Sequence, residues 1–270
     1  MEHRGHPLNA NISILFTEYD YLDRFGAARD AGFDAVESWW PFVDAIPARG
    51  EVDAMLSAID TAGVRLEALN FWAGDMAAGQ RGMTVHRDRH EELRTNIRLV
   101  AEIGEATGCR GFNLLYGQPG EGSSEVESRQ AAAEIYRDAA EVMEPIGGKV
   151  LLEALAHDLN GTYSIRSLRE ANDFLDFVGD SGVLLLFDTF HLGHNGEDIV
   201  AASAGAVSRI GHVQVADDPG RGEPGSGKLP IDACLDALAE HGYTGRVGAE
   251  YKPTTVKTID SFGWIGGDAG

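Results

Sequence analysis

VLLLFDTFH, residues 183–191, is the stretch from which the architecture is read. Val183 to Phe187 is an unbroken apolar run, closed by Asp188 and followed three residues later by His191. Such a run is strand-length, and a strand apolar on both faces belongs in a parallel sheet covered on both sides. Three further segments repeat the pattern: KVLLEAL (149–155), GHVQVAD (211–217) and RVGAEYKP (246–253). Each carries one polar residue where its apolar run stops: Glu153, Gln214 and Glu250. The steps from 153 to 188, 214 and 250 are 35, 26 and 36 residues. Each is about the length of one strand–helix–strand unit.

Working outward, the same rhythm covers the chain. Strands are predicted at 10–16, 35–39, 64–71, 111–115, 150–155, 183–187, 210–215 and 246–251. Helices are predicted at 21–31, 52–61, 90–106, 128–143, 165–178, 197–206 and 231–241, with a long Gly-rich loop over 74–87. Eight strands alternating with helices predict an α/β fold, a closed (β/α)8 TIM barrel. The competing open, doubly wound sheet would carry a G-x-G-x-x-G turn directly after a strand, and no predicted strand here runs directly into one. No linker or low-complexity segment interrupts the pattern, so residues 1–270 are expected to form a single domain. The tail from about 254 to 270 is expected to dock and end loosely.

Composition narrows the partners. The 270 residues include 22 basic and 43 acidic side chains, a net charge of −21. That argues against nucleic acid, whose binding draws on Lys and Arg at phosphates, and against a polybasic membrane-surface role. No apolar run is long enough to span a bilayer. The polar start, Met1 to Asn9, lacks a signal-peptide core. Cys109 and Cys234 have no metal-ligand spacing and suit a reducing compartment. A cytoplasmic location is expected.

Active sites of such barrels lie at the C-terminal ends of the strands. Glu153, Asp188, Gln214 and Glu250 fall there on four successive strands. Three carboxylates and an amide form an all-oxygen set, which selects a hard divalent cation, Mg²⁺ or Mn²⁺. Without a cation, burying three carboxylates together is costly. His191 is a candidate to bind a substrate oxygen, and Arg221, in ADDPGRGEPGSG, to sit over an anionic substrate. Lys252 shares strand parity with Glu250 and is placed at the mouth as a further substrate-binding cation. Glu37 also ends a strand, either as a supporting partner or as a satisfied polar group. Trp39, Trp40 and Trp72 are candidates to wall the pocket, against the default of core packing.

These segments resemble the hydroxypyruvate isomerases of the xylose-isomerase-like TIM barrels, over nearly the whole chain. The resemblance rests on NISILFTEYDYLDRF, GDMAAGQRGM, GHVQVADDPGRGEPGSG and GAEYKP, in order and in different loops. It implies that Glu153, Asp188, Gln214 and Glu250 bind the metal, and that Glu153 and Glu250 are the catalytic acid/base pair. The implied reaction interconverts hydroxypyruvate and tartronate semialdehyde through an enediolate. The alternative is a ketose 3-epimerase or another sugar or keto-acid isomerase; those epimerases usually carry His where Gln214 stands. A homo-oligomer is plausible for the family. Two segments depart from the family's pattern: EALAHDLNGTYSI replaces a stretch like EPINTRDMPGYFL, and RGEPGSGKLPI replaces one like RHEPGTGEINY, with Gly222 for His and Lys228 for Glu. Both flank the mouth of the barrel.

Overall fold

The computed structural model describes residues 1–120, 122–180 and 182–266. Eight parallel strands run in sequence order, β2 (His6–Asn11), β3 (Ala35–Ser38), β4 (Arg65–Asn70), β5 (Gly111–Asn113), β6 (Lys149–Glu153), β7 (Val183–Asp188), β8 (Ile210–Val215) and β9 (Val247–Ala249). β9 pairs back onto β2, which closes the barrel. A two-residue strand, β1 (Glu2–His3), folds antiparallel onto the start of β2. The helices are α1 (Arg24–Asp30), α2 (Arg49–Ala62), α3 (His90–Thr107), α4 (Glu125–Met143), α5 (Leu168–Val178), α6 (Thr189–His194), α7 (Ile199–Ala206) and α8 (Ile231–Glu240).

Local chemistry explains the elements. In α5, Leu168, Ala171, Phe174, Leu175 and Val178 recur at helical spacing and are buried. The hydroxyl of Ser167 accepts from the Glu170 amide at its start, a cap of about 1 kcal/mol. Alternation along Leu8-Asn9-Ala10-Asn11 puts Asn9 and Asn11 on one face. Both donate to Glu37, so that face lines the barrel interior.

Several expected boundaries change. The first strand spans 6–11 rather than 10–16, because inward-facing Asn9 and Asn11 disguise it as polar. The chain turns out at once, with Ile14 and Leu15 amides donating to the Asn11 carbonyl. The helix expected over 197–206 is preceded by a separate one-and-a-half-turn helix, α6, too short to show a period. The last strand stops at Ala249, so Glu250 sits just beyond it. The tail docks through a 3₁₀ segment, Thr258–Trp264; Phe262 packs on Phe33, and Trp264 lies edge-on to His3. Residues 267–270 lie outside the described residues. Both cysteines are buried free thiols. Among the described residues, no helix is long and apolar enough to cross a membrane.

Candidate active site

Strand register brings the four sequence candidates together. Asp188 is level with Gln214, and Gln214 with Gly248, two residues below Glu250. Glu153 is level with Leu186, two residues below Asp188, as barrel stagger requires. All four are buried.

Each is held by specific hydrogen bonds. Asn113 Nδ2 donates to Glu153 Oε2 at 2.8 Å. Asn11 Nδ2 donates to Glu250 Oε2 at 3.0 Å, and Trp39 Nε1 to its Oε1 at 3.2 Å. Asp188 Oδ1 caps α6 by accepting from the amides of Phe190 and His191. That is why a helix begins directly after this strand. Gln214 Nε2 donates to Glu37 Oε1 at 2.7 Å, which fixes the amide orientation, while its buried Oε1 has no partner.

The electrostatics follow from this crowding. Burial, then the charges of Glu250 and Asp188, push Glu153 well above the usual carboxylate range. Burial raises Glu250 to about 8, with Arg221 opposing and Asp188 adding to the rise. Asp188 is raised by burial too, although Arg221 and two backbone amides pull the other way. Three carboxylates that destabilise one another's charged forms, beside an orphaned amide oxygen, fit a divalent cation. Glu153, Asp188 and His191 present ligand atoms within 4.8 Å of one another and could hold a metal.

His191 is buried, and the Ala156 amide donates to its Nδ1 at 3.0 Å. A neutral ring accepting there carries its proton on Nε2. That nitrogen lies 3.7 Å from Glu153 and 3.8 Å from Asp188. Burial first, then Arg221, keep the ring well below its usual pKa. It is therefore a neutral donor, suited to a substrate oxygen.

Arg221 bridges Asp188 and Glu250 through Nη2 and lies over the Phe190 ring at 5.3 Å. Its loop folds around one buried carboxylate, Asp217, which accepts from the amides of Asp218, Gly225, Gly227 and Leu229. Lys252 is placed elsewhere than parity suggests. The strand ends before it, its side chain is exposed, and only its amide serves the site, donating to the Arg221 carbonyl at 2.7 Å. Of the tryptophans, Trp39 walls the cavity, whereas Trp40 and Trp72 are buried with their indole nitrogens on the Asp44 and Val43 carbonyls.

Glu37 is a supporting partner rather than an isolated polar group. Its carboxylate receives Asn9, Asn11, His212 and Gln214. Burial favours its neutral form, but His212 and these hydrogen bonds outweigh that and hold its pKa below the usual value. His212 is raised in turn, Glu37 overcoming the cost of burial. Gly248 makes the space: a Cβ there would stand 2.6 Å from Glu37 Oε2.

The cavity measures about 320 Å³ and includes Trp39, Asn70, Arg81, Glu153, His191 and Glu250 in its lining. That is the small end of the ligand-pocket range, about 300–1,000 Å³. Clefts of about 540 and 960 Å³ contain none of the clustered acids. Asn11, Asn113 and Arg81 were missed from sequence. Asn113 ends β5, but the sequence carries the expected strand on through Leu114 and Leu115 and so places it mid-strand; Asn11 is hidden by the misplaced first strand, and Arg81 has no strand-end position to mark it.

The model for xylose isomerase-like TIM barrels matches residues 25–266. The chain belongs to that family. A protein of Streptomyces coelicolor provisionally named a hydroxypyruvate isomerase is 41% identical over 95% of this chain and 94% of its own. The hydroxypyruvate isomerase of Escherichia coli is 31% identical over 92% of this chain and 94% of its own. The 2-oxo-tetronate isomerase of Haemophilus influenzae is 33% identical, covering 94% and 96%. Among solved structures, one from Brucella melitensis described as an AP endonuclease of family 2 superposes with a TM-score of 0.88 at 29% identity, over 96% and 97% of the two chains. These relatives place the chain among isomerases of the xylose isomerase-like barrels.

Proposed function

We propose that this xylose isomerase-like barrel is a divalent-metal-dependent isomerase of short 2-oxo acids, interconverting hydroxypyruvate and tartronate semialdehyde or the four-carbon equivalents. The reading is carried by one observation: Glu153, at the end of β6, and Glu250, just past β9, open into one small cavity, with Asp188 and the unpartnered Gln214 oxygen beside them. The relatives' names support the reaction class.

Glu153, Asp188, Gln214 and Glu250 would hold the ion, Mg²⁺ or Mn²⁺. When bound, such an ion supplies Lewis acidity that lowers the energy of negative charge on substrate oxygens. The remaining work falls to the protein. One glutamate takes a proton from C3 of hydroxypyruvate, giving an enediolate, and the other delivers a proton to C2. The hydroxyl proton moves from O3 to O2, so the atoms balance with no external oxidant. Asn113 and the Asn11–Trp39 pair hold the two carboxylates in place. The Nε2 proton of His191 is available to the developing oxyanion. Arg221 reaches the cavity from above Phe190, where Asp188 and Glu250 hold it.

The test is an assay of metal-loaded protein with hydroxypyruvate, 2-oxo-tetronate and four- to six-carbon ketoses, run in heavy water. Turnover of a 2-oxo acid with solvent deuterium entering the product is expected. Turnover of ketoses alone would replace this reading with that of a ketose 3-epimerase.

A further inference from the structure

We infer that Arg81 is the carboxylate-binding residue of this cavity and makes the site selective for anionic over neutral substrates. The inference rests on the reading above and deepens it by naming the charge class of the substrate.

Arg81 lies on the long loop after β4 and lines the same cavity as Glu153, His191 and Glu250. It is half-buried, and what it touches is uncharged. Nη1 donates to the carbonyls of Met76 and Gln80 at 2.9 and 2.8 Å, and Nε to Asn160 Oδ1 at 3.1 Å. Among the described residues, Nη2 has no acceptor and the guanidinium no ion-pair partner. Its charged neighbour is another cation, Arg221, which adds to burial in pulling its pKa down. A guanidinium held partly out of water beside a like charge is destabilised until an anion arrives. Arg221 differs, since Asp188 and Glu250 already neutralise it. The open charge in this cavity is therefore Arg81.

The loop is built to hold it there. The Gly82 amide donates to the Ala73 carbonyl at 2.9 Å, and the Asp75 amide to Gln80 Oε1 at 2.6 Å. Gly82 has φ +104°, and a Cβ on it would stand 2.2 Å from the Leu115 carbonyl oxygen. Only glycine lets this loop lie against the segment after β5. Asn160, the partner of Nε, comes from the loop after β6 and receives a second tie when its carbonyl accepts from Gln118. Three loops thus converge to fix one guanidinium with an edge left open. Such pre-orientation suits a carboxylate, which an arginine binds in a defined plane. A neutral ketose would leave the charge uncompensated.

The experiment pairs binding with turnover in wild type, Arg81→Gln and Arg81→Lys, all metal-loaded. Calorimetric titration uses glycerate, a three-carbon hydroxy acid without the reactive ketone. Turnover is compared on hydroxypyruvate and on dihydroxyacetone, the same skeleton with hydroxymethyl in place of carboxylate. Arg81→Gln is expected to weaken glycerate roughly 10- to 100-fold, the range of a lost charge-assisted hydrogen bond. It should raise KM for hydroxypyruvate by a like factor and shift the preference toward dihydroxyacetone, with the melting temperature as the check on folding. Arg81→Lys should fall between. Glycerate binding within twofold of wild type in Arg81→Gln, no glycerate binding in wild type, or equal losses on both substrates in both variants would overturn the proposal. Arg81-dependent glycerate binding without turnover of any 2-oxo acid would remove the isomerase reading and leave the anion site standing.

Discussion

Two acidic clusters are buried one above the other in this barrel, and they are opposites. In the lower, Glu37 takes hydrogen bonds from two asparagines, a glutamine and a histidine, and its charge is favoured. In the upper, Glu153, Asp188 and Glu250 crowd one another, and charge is disfavoured on all three. Burial is the same in both, so it is the partners that differ. The Glu37 carboxylate is satisfied by protein donors. The upper acids stay disfavoured as charges even with Arg221 against two of them, which marks a working site rather than a stabilising network.

Mutations can break the contrast. The largest effect is expected from Glu153→Gln or Glu250→Gln: kcat down about a thousandfold, the scale of general acid–base catalysis. The melting temperature of metal-free Glu153→Gln should hold or rise, since one like charge is gone, whereas Glu250→Gln also takes a partner from Arg221. A fall of many degrees in Glu153→Gln would show that these acids support the fold and erase the distinction. Next comes Glu37→Gln, which leaves buried His212 without its counter-charge. Denaturant titration should show a loss of about 3–5 kcal/mol, typical of breaking a buried pair. A neutral result would mean that the lower cluster contributes no more stability than the upper one. The smallest is Gly248→Ala, whose added methyl would press on the Glu37 carboxylate. Overpacking of this kind costs about 1–3 kcal/mol, read as a lower denaturant midpoint with an unchanged m-value.

The sequence disclosed the upper cluster better than the lower, for a physical reason. A carboxylate at the end of an apolar run announces itself, so Glu153, Asp188 and Glu250 stood out, and the spacing between them marked the barrel units. The lower cluster draws on Asn9, Asn11 and His212, polar residues inside strands. Inward-facing polarity weakens the very pattern by which strands are recognised, which is why the first strand was misplaced by several residues. Lys252 failed on parity: alternation holds only while the strand continues, and β9 ends at Ala249. Arg81 lay beyond reach because its role depends on three loops meeting, and no periodicity encodes that.

The loop that carries Arg221 has a single side chain as its core. Because the Asp217 carboxylate alone gathers four amides spread over residues 218–229, the loop is a small cooperative unit of its own. Its amides are expected to exchange with solvent together, in one opening event. Side chains hung on the outside of such a unit can change without altering its shape. Lys228, one of the two loop positions where this chain departs from the pattern it otherwise resembles, is exposed and is such a side chain; Gly222 is buried, and a Cβ on it would stand 2.4 Å from Ser226 Oγ. The barrel can thus retune its mouth at Lys228 while keeping its cation in place.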